Sequence, residues 1–325
     1  MPQCSRVQRR YINNYQQLLN TLTMKRYLSF LPAFLIALAF SSCDYVANPN
    51  ETLSGSSTVD TSGLDSNLVH RRRVLVEDYT GHKCPNCPQA ATVAQQLINT
   101  YGDSVVVIGV HAGFFANPTT PLGAPAGSYL TDFRTTAGTT YDSPTYFGIS
   151  NAGNPNGMIN RRYYTPTTTN HIIYHTSWNA EVASLLALPP VADLSVHTTY
   201  NSSTRTVSIS TISQFISDTL VSGSYNLVVL MTQDSIVEWQ QDGTTHIPNY
   251  VHRHVLRTAI SPMWGDVLTT GTVTPHALLG KTYSYTLPTA FLGNNCDENH
   301  CHIVAFIYNT ANYEVIQAAE AKVTP

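Results

Sequence analysis

Cys84-Pro85-Asn86-Cys87 sets two thiols three residues apart within "VEDYTGHKCPNCPQAATVAQQL". Such a pair can exchange electrons, share a metal or staple a turn. Its flanks favour redox or disulfide chemistry. The pair follows a short apolar run, "VLVEDYTG", and opens a stretch in which Ala91, Val93, Ala94, Leu97 and Ile98 recur at helical spacing. Backbone N–H groups at a helix start, together with Lys83 and a protonatable His82, would stabilise a thiolate at Cys84. Pro85 suits a first helical turn. On this reading Cys84 is the exposed attacking thiol and Cys87 the buried resolving one. Zinc would need two more ligands. His82 and His111 are the candidates, and the chain has no second C-x-x-C.

A strand, a C-x-x-C and a helix in that order resemble thioredoxin. That arrangement also needs a proline facing the cysteines. "FGISNAGNPNGMIN" is similar to the turn before the facing strand, which makes Pro155, after Asn154, the candidate for a cis peptide bond. Pro144, after Ser143, is the alternative. A cis-proline turn would offer a bare backbone edge to a substrate, with Lys83, His82 and Asn154 beside it. Two departures stand out. Lys83 replaces the tryptophan usual before the first cysteine. The buried acid of the fold has no assigned counterpart: Glu77 and Asp78 are the candidates, and either reads equally as a strand-end polar group.

Other clusters have simpler readings. Cys296 and Cys301 form a second local pair and are expected to be joined by a structural disulfide. His246, His252 and His254 could approach a transition metal, although histidines of a strand edge more often form hydrogen bonds. No metal or other cofactor is assigned. The tyrosines of "INRRYYTP" suit a recognition surface or core-edge packing equally well.

The compartment fits a redox or disulfide reading. Lys25 and Arg26 follow Met24 and precede a fourteen-residue apolar stretch, 27–40. It is too short to span a bilayer comfortably and matches a secretory signal. Ser41 and Ser42 then precede Cys43, a lipobox-like end with Cys43 as the lipidated residue. Residues 1–42 are therefore read as leader and signal peptide with the true start at Met24, and 43–68 as a polar, lipid-anchored tether. Five of the 17 basic residues fall before Cys43, which leaves 12 against 20 acidic residues, a net charge near −8. A nucleic-acid partner would want a basic face. The expected partners are the membrane, through the lipid, and exported protein thiols or envelope proteins.

The elements divide at Pro189-Pro190. Residues 69–188 alternate strand and helix, with "SVVVIGVHAG" as a buried strand, an insertion over 114–140 holding one short helix around "GSYLTDFRTT", and a closing helix within "TNHIIYHTSWNAEVASLLAL". Residues 191–325 read as about seven strands, beginning with a hairpin around "NSST". The fold class is thus an α/β thioredoxin-like domain followed by an all-β immunoglobulin-like sandwich.

"VEDYTGHKCPNCP", "NPNGMINR", "NYVHRHVLR" and "HIVAFIYNTANYEVIQAAE" together resemble the outer-membrane-protein-28-related lipoproteins of Bacteroidetes-type bacteria. The resemblance covers most of 73–323 and implies this two-part fold and an outer-membrane address. Two functions remain open. One is thiol–disulfide exchange by a tethered enzyme. The other is a non-catalytic binding or scaffold lipoprotein with structural disulfides.

Overall fold

A computed structural model describes residues 57–58, 70–164, 170–216 and 222–324. The leader, Met24 and Cys43 lie outside the described residues. In chain order the elements are β1 (Ser57–Thr58), β2 (Val74–Thr80), α1 (Cys87–Tyr101), β3 (Val105–His111), α2 (Thr136–Tyr141), β4 (Asn156–Ile159), β5 (Ile173–Tyr174), α3 (Trp178–Leu186), β6 (Ala192–Asn201) and β7 (Thr206–Phe215). They continue as β8 (Ser222–Gln233), β9 (Ile236–Asp242), β10 (Thr245–His252), β11 (Val255–Ala259), β12 (Asp266–Thr272), β13 (Leu278–Thr286), β14 (Ala290–Phe291), β15 (Asn294–Asn295), β16 (Cys301–Asn309) and β17 (Val315–Lys322).

The chain is mostly β, and its larger sheet is mixed. That sheet runs β17-β16-β8-β11-β3-β2-β4-β5, with β12 also on β8. β2 and β3 are parallel neighbours and both read as unbroken apolar runs, as strands buried on both faces do. β11 joins β3 in parallel through Val255 opposite Gly109. The two halves expected on either side of Pro189-Pro190 therefore share one sheet, within a single compact unit, Thr52–Pro325. The second sheet is β1-β13-β7-β6. Its Leu194, Val207, Ile209 and Tyr283 pack on Leu227, Val229, Met231 and Ile303 of the first, so the later half is built as sheet on sheet. Ser57–Thr58, within the expected tether, pairs with Thr282 and Lys281.

Alternation along β2 assigns its residues to two cores. Val74 and Val76 face Ala90, Ala94 and Leu97 of α1 and Trp178 of α3. Leu75 and Tyr79 face the opposite core, with Tyr141, Phe147 and Phe306. Glu77 lies on that second face and receives two hydrogen bonds from Arg161, at 2.8 and 2.7 Å. Arg161 is wholly buried, and its guanidinium lies over the rings of Tyr141, Phe147 and Phe306. A charge so deep is tolerable only when paired in this way. The pair ties β2 to the turn after β4 and to β16.

Helix positions differ from expectation in two places. The short helix of the insertion forms at Thr136–Tyr141, where the Thr135 side chain caps Gly138 N–H, and not around "GSYLTDFRTT". Tyr129 has φ +61, which a right-handed helix cannot accommodate. Helix α1 begins at Cys87, with Asn86 at its N-cap. Pro88, not Pro85, thus takes the first-turn position, and Cys84 sits in the turn ahead of the helix.

Candidate functional site

Cys84 and Cys87 are joined by a disulfide, with Cα atoms 5.4 Å apart. The turn that carries them is fixed from both sides. Cys84 N–H donates to the Gly81 carbonyl at 2.9 Å, and Lys83 N–H donates to the Phe115 carbonyl at 3.1 Å. The 114–116 backbone comes so close that a Cβ on Gly81 would lie 2.4 Å from the Phe115 carbonyl carbon. Gly81 is therefore required by packing. The Asn154–Pro155 bond is cis. Pro155 enters β4, whose Asn156 stands opposite Tyr79, so the proline lies at the same end of the sheet as the disulfide.

The exposed Cys84 read from the sequence is not what the structure has. Both cysteines are buried, Cys84 at 0% exposure and Cys87 at 2%. The cover is the hairpin of β9 and β10, a two-stranded sheet of its own. Gln241 N–H donates to the His82 carbonyl at 2.8 Å, and Gly243 N–H donates to the Pro85 carbonyl at 2.8 Å. The Gln240 side-chain amide donates to the Cys84 carbonyl at 3.1 Å. Further bonds hold the hairpin down, from Thr131 to Glu238 at 2.8 Å and between Tyr129 and His246 at 2.7 Å. β9 is not among the strands expected from the sequence. Its signal is Gly243-Thr244, a two-residue hairpin turn between apolar-containing runs, with Gly243 at φ +56.

The neighbours of the pair are also drawn inward. His82 is wholly buried, bonds to the Asn117 carbonyl through Nε2 at 3.2 Å, and is pushed down to about 4 by burial, so it is neutral. It packs edge-on against Tyr129 and Phe133. Lys83 Nζ donates to Thr119 at 2.7 Å and lies near the Phe114 ring. Both Asn154 side-chain polar atoms are buried without a hydrogen-bond partner.

Behind the disulfide, between α1 and β10, is a cavity of about 340 Å³. Cys87, Asp78, Thr80, His111, Gln240 and Tyr250 are on its wall. Asp78 is the acid that the sequence left undecided between two positions: Glu77 points to the other face and pairs with Arg161. Among the described residues Asp78 has no ionic partner and its Oδ1 is buried without a hydrogen bond, and burial raises its carboxyl to about 7. His111 and His252 are neutral through burial, His252 pushed down to about 3.

The remaining candidates are dispersed. His246 bonds Tyr129, His252 bonds the Trp239 carbonyl at 3.2 Å, and His254 stands 3.3 Å from Asp234. Among the described residues no three His, Cys, Asp or Glu side chains come together as a metal site. Nor is the expected Cys296–Cys301 disulfide formed in this structure. The two are buried thiols with sulfurs 3.8 Å apart, where a bond needs about 2.0 Å. Cys301 is fixed by the ladder opposite Gln233, and the Cys296 carbonyl is held by Arg205 at 2.7 Å. The backbone thus leaves a thiol contact, which favours a thiolate on Cys296 by hydrogen bonding from Cys301.

Among solved structures, HBP35 of Porphyromonas gingivalis is similar with a TM-score of 0.58 and 14% identity, over 79% of this chain and 76% of that one. This similarity is one of fold. A domain of the outer membrane lipoprotein Omp28 from the same organism matches at a TM-score of 0.29 and 16% identity, over 42% of this chain and 90% of that one. A protein from Agrobacterium tumefaciens matches at 0.45 and 12%, over 79% and 96%. No curated protein sequence matches the chain. The family described as "Outer membrane protein Omp28" matches residues 142–325, which include the covering hairpin and Pro155 but begin after the disulfide. More than half of the chain lies within that match, so this protein belongs to the Omp28 family and its place is the outer membrane.

Proposed function

We propose that this outer membrane protein performs thiol–disulfide exchange through Cys84 and Cys87. In this reading 69–188 act as a thioredoxin-like part, 191–325 as an immunoglobulin-like part, and the chain is held by lipid on Cys43. The observation that carries the reading is Asp78. A disulfide that merely staples a turn has no use for an unpaired carboxyl buried on the wall of the same cavity, where it costs stability. With its carboxyl near 7, Asp78 can take a proton from a thiol or return one to a leaving thiolate at neutral pH.

The burial of Cys84 favours the scaffold reading, in which the disulfide is structural. One experiment separates the two. Protein reduced beforehand is mixed with hydroxyethyl disulfide, and the thiols at Cys84 and Cys87 are followed by mass. Exchange predicts rapid return of the disulfide, slowed at least about tenfold by Asp78→Asn. A pair that is reduced only in denaturant, and whose reoxidation ignores Asp78, overturns the proposal.

A further inference from the structure

The two sulfurs of the pair face different surroundings. Cys84 lies under the hairpin, with the His82, Cys84 and Pro85 carbonyls all taken by donors from residues 240–243. Cys87 is on the wall of the 340 Å³ cavity, and Cys84 is not. A volume of that size falls at the small end of ligand pockets. Its wall holds three polar atoms that are buried and, among the described residues, unpartnered: Asp78 Oδ1, His111 Nδ1 and His254 Nε2. Asp78 is 5% exposed and His111 4%. Buried polar groups are normally satisfied, so these call for an occupant that can hydrogen-bond. The rest of the wall is partly apolar, with Ala91, Ala94 and Val107.

We propose that the exchange partner is a low-molecular-weight thiol or disulfide that enters this cavity and reacts at Cys87 Sγ, with Cys84 as the sulfur that leaves and resolves. The roles read from the sequence are thereby reversed. This rests on the exchange function proposed above and names the substrate class for it.

The step balances. A small thiol gives its proton to Asp78, and its sulfur attacks Cys87 Sγ. The Cys84–Cys87 bond breaks, and Cys84 leaves with the electron pair and takes up a proton. A second small thiol attacks the small-molecule sulfur of the mixed disulfide, and Cys87 leaves as a thiolate that is protonated in turn. Two thiols have become one small disulfide, and the protein disulfide has become a dithiol. A protein disulfide as substrate would instead have to displace the hairpin to reach Cys84.

The test uses Cys84→Ser and Cys87→Ser in the full chain, each checked for folding by its melting curve. Hydroxyethyl disulfide is added, and the mixed disulfide on the remaining thiol is timed by mass. Cys87 in the first variant is expected to react at least about tenfold faster than Cys84 in the second. Ala91→Phe, which fills the cavity from the helix side, should slow Cys87 at least about fivefold and leave Cys84 as it was. Faster reaction at Cys84, or indifference of Cys87 to Ala91→Phe, overturns the inference and leaves exchange standing. If neither thiol reacts until the protein is unfolded, both the exchange function and this inference fail.

Discussion

Replacing Asp78 by asparagine removes the charge and keeps the shape. In the folded protein, burial raises the Asp78 carboxyl from 3.8 to about 7. Between those values the folded chain keeps a proton that the unfolded chain has released, so stability falls as pH rises through this window. The rise from 3.8 to about 7 corresponds to about 4 kcal/mol, fully expressed above pH 7 and absent below pH 4. Asparagine carries no such penalty. The stability of Asp78→Asn relative to the native protein should therefore rise steadily from pH 4 to pH 8, by at most about 4 kcal/mol. The other titratable groups around the cavity do not imitate this. His252 is pushed down to about 3, His111 is lowered too, and Tyr250 is raised. His254, also lowered, is common to both proteins and cancels in the difference. The assay is urea unfolding of the oxidised proteins at several pH values. A difference between the two proteins that stays constant with pH would refute the argument.

Two further outcomes follow from named contacts and a third from the proposed lipid anchor. Arg161→Ala leaves Glu77 charged and unpaired in the core and should cost about 3–5 kcal/mol in chemical denaturation, and a loss below about 1 would show the pair to be dispensable. Gln240→Ala removes one donor that holds the hairpin over Cys84 and should raise alkylation of reduced Cys84 about fivefold; an unchanged rate would mean that the hairpin does not limit access. Cys43→Ala should release the protein from membranes, and full retention with an unmodified Cys43 in the native chain would remove the lipid anchor from the account.

Much of this site was legible before the structure. The apolar runs of β2 and β3, the helix after Cys87 and the strands of "CHIVAFIYN" and "YEVIQAAEAKV" announce themselves through periodicity, because burial on one or both faces dictates residue type locally. The family resemblance was also readable, since it rests on quoted motifs, and the Omp28 match bears it out. What escaped is set by contacts distant in sequence. Whether Glu77 or Asp78 is the unpaired acid depends on Arg161, 84 residues away, which claims one of them. The burial of Cys84 depends on a hairpin some 156 residues later, whose backbone donors meet the motif only in three dimensions. The helix expected around "GSYLTDFRTT" failed at one backbone angle, that of Tyr129. The thiol contact of Cys296 with Cys301 turns on where Gln233 and Arg205 hold their strands. The pairing of β11 with β3 through a single residue, Val255, leaves no local pattern at all.

Whether Cys84 and Cys87 change redox state in service is decided by their reduction potential. The native protein is equilibrated in dithiothreitol and glutathione buffers, and thiols at the two positions are counted by mass. Exchange in service requires a potential among those of exchanging pairs, about −120 to −270 mV. A value below about −300 mV would mark a structural bond and contradict it.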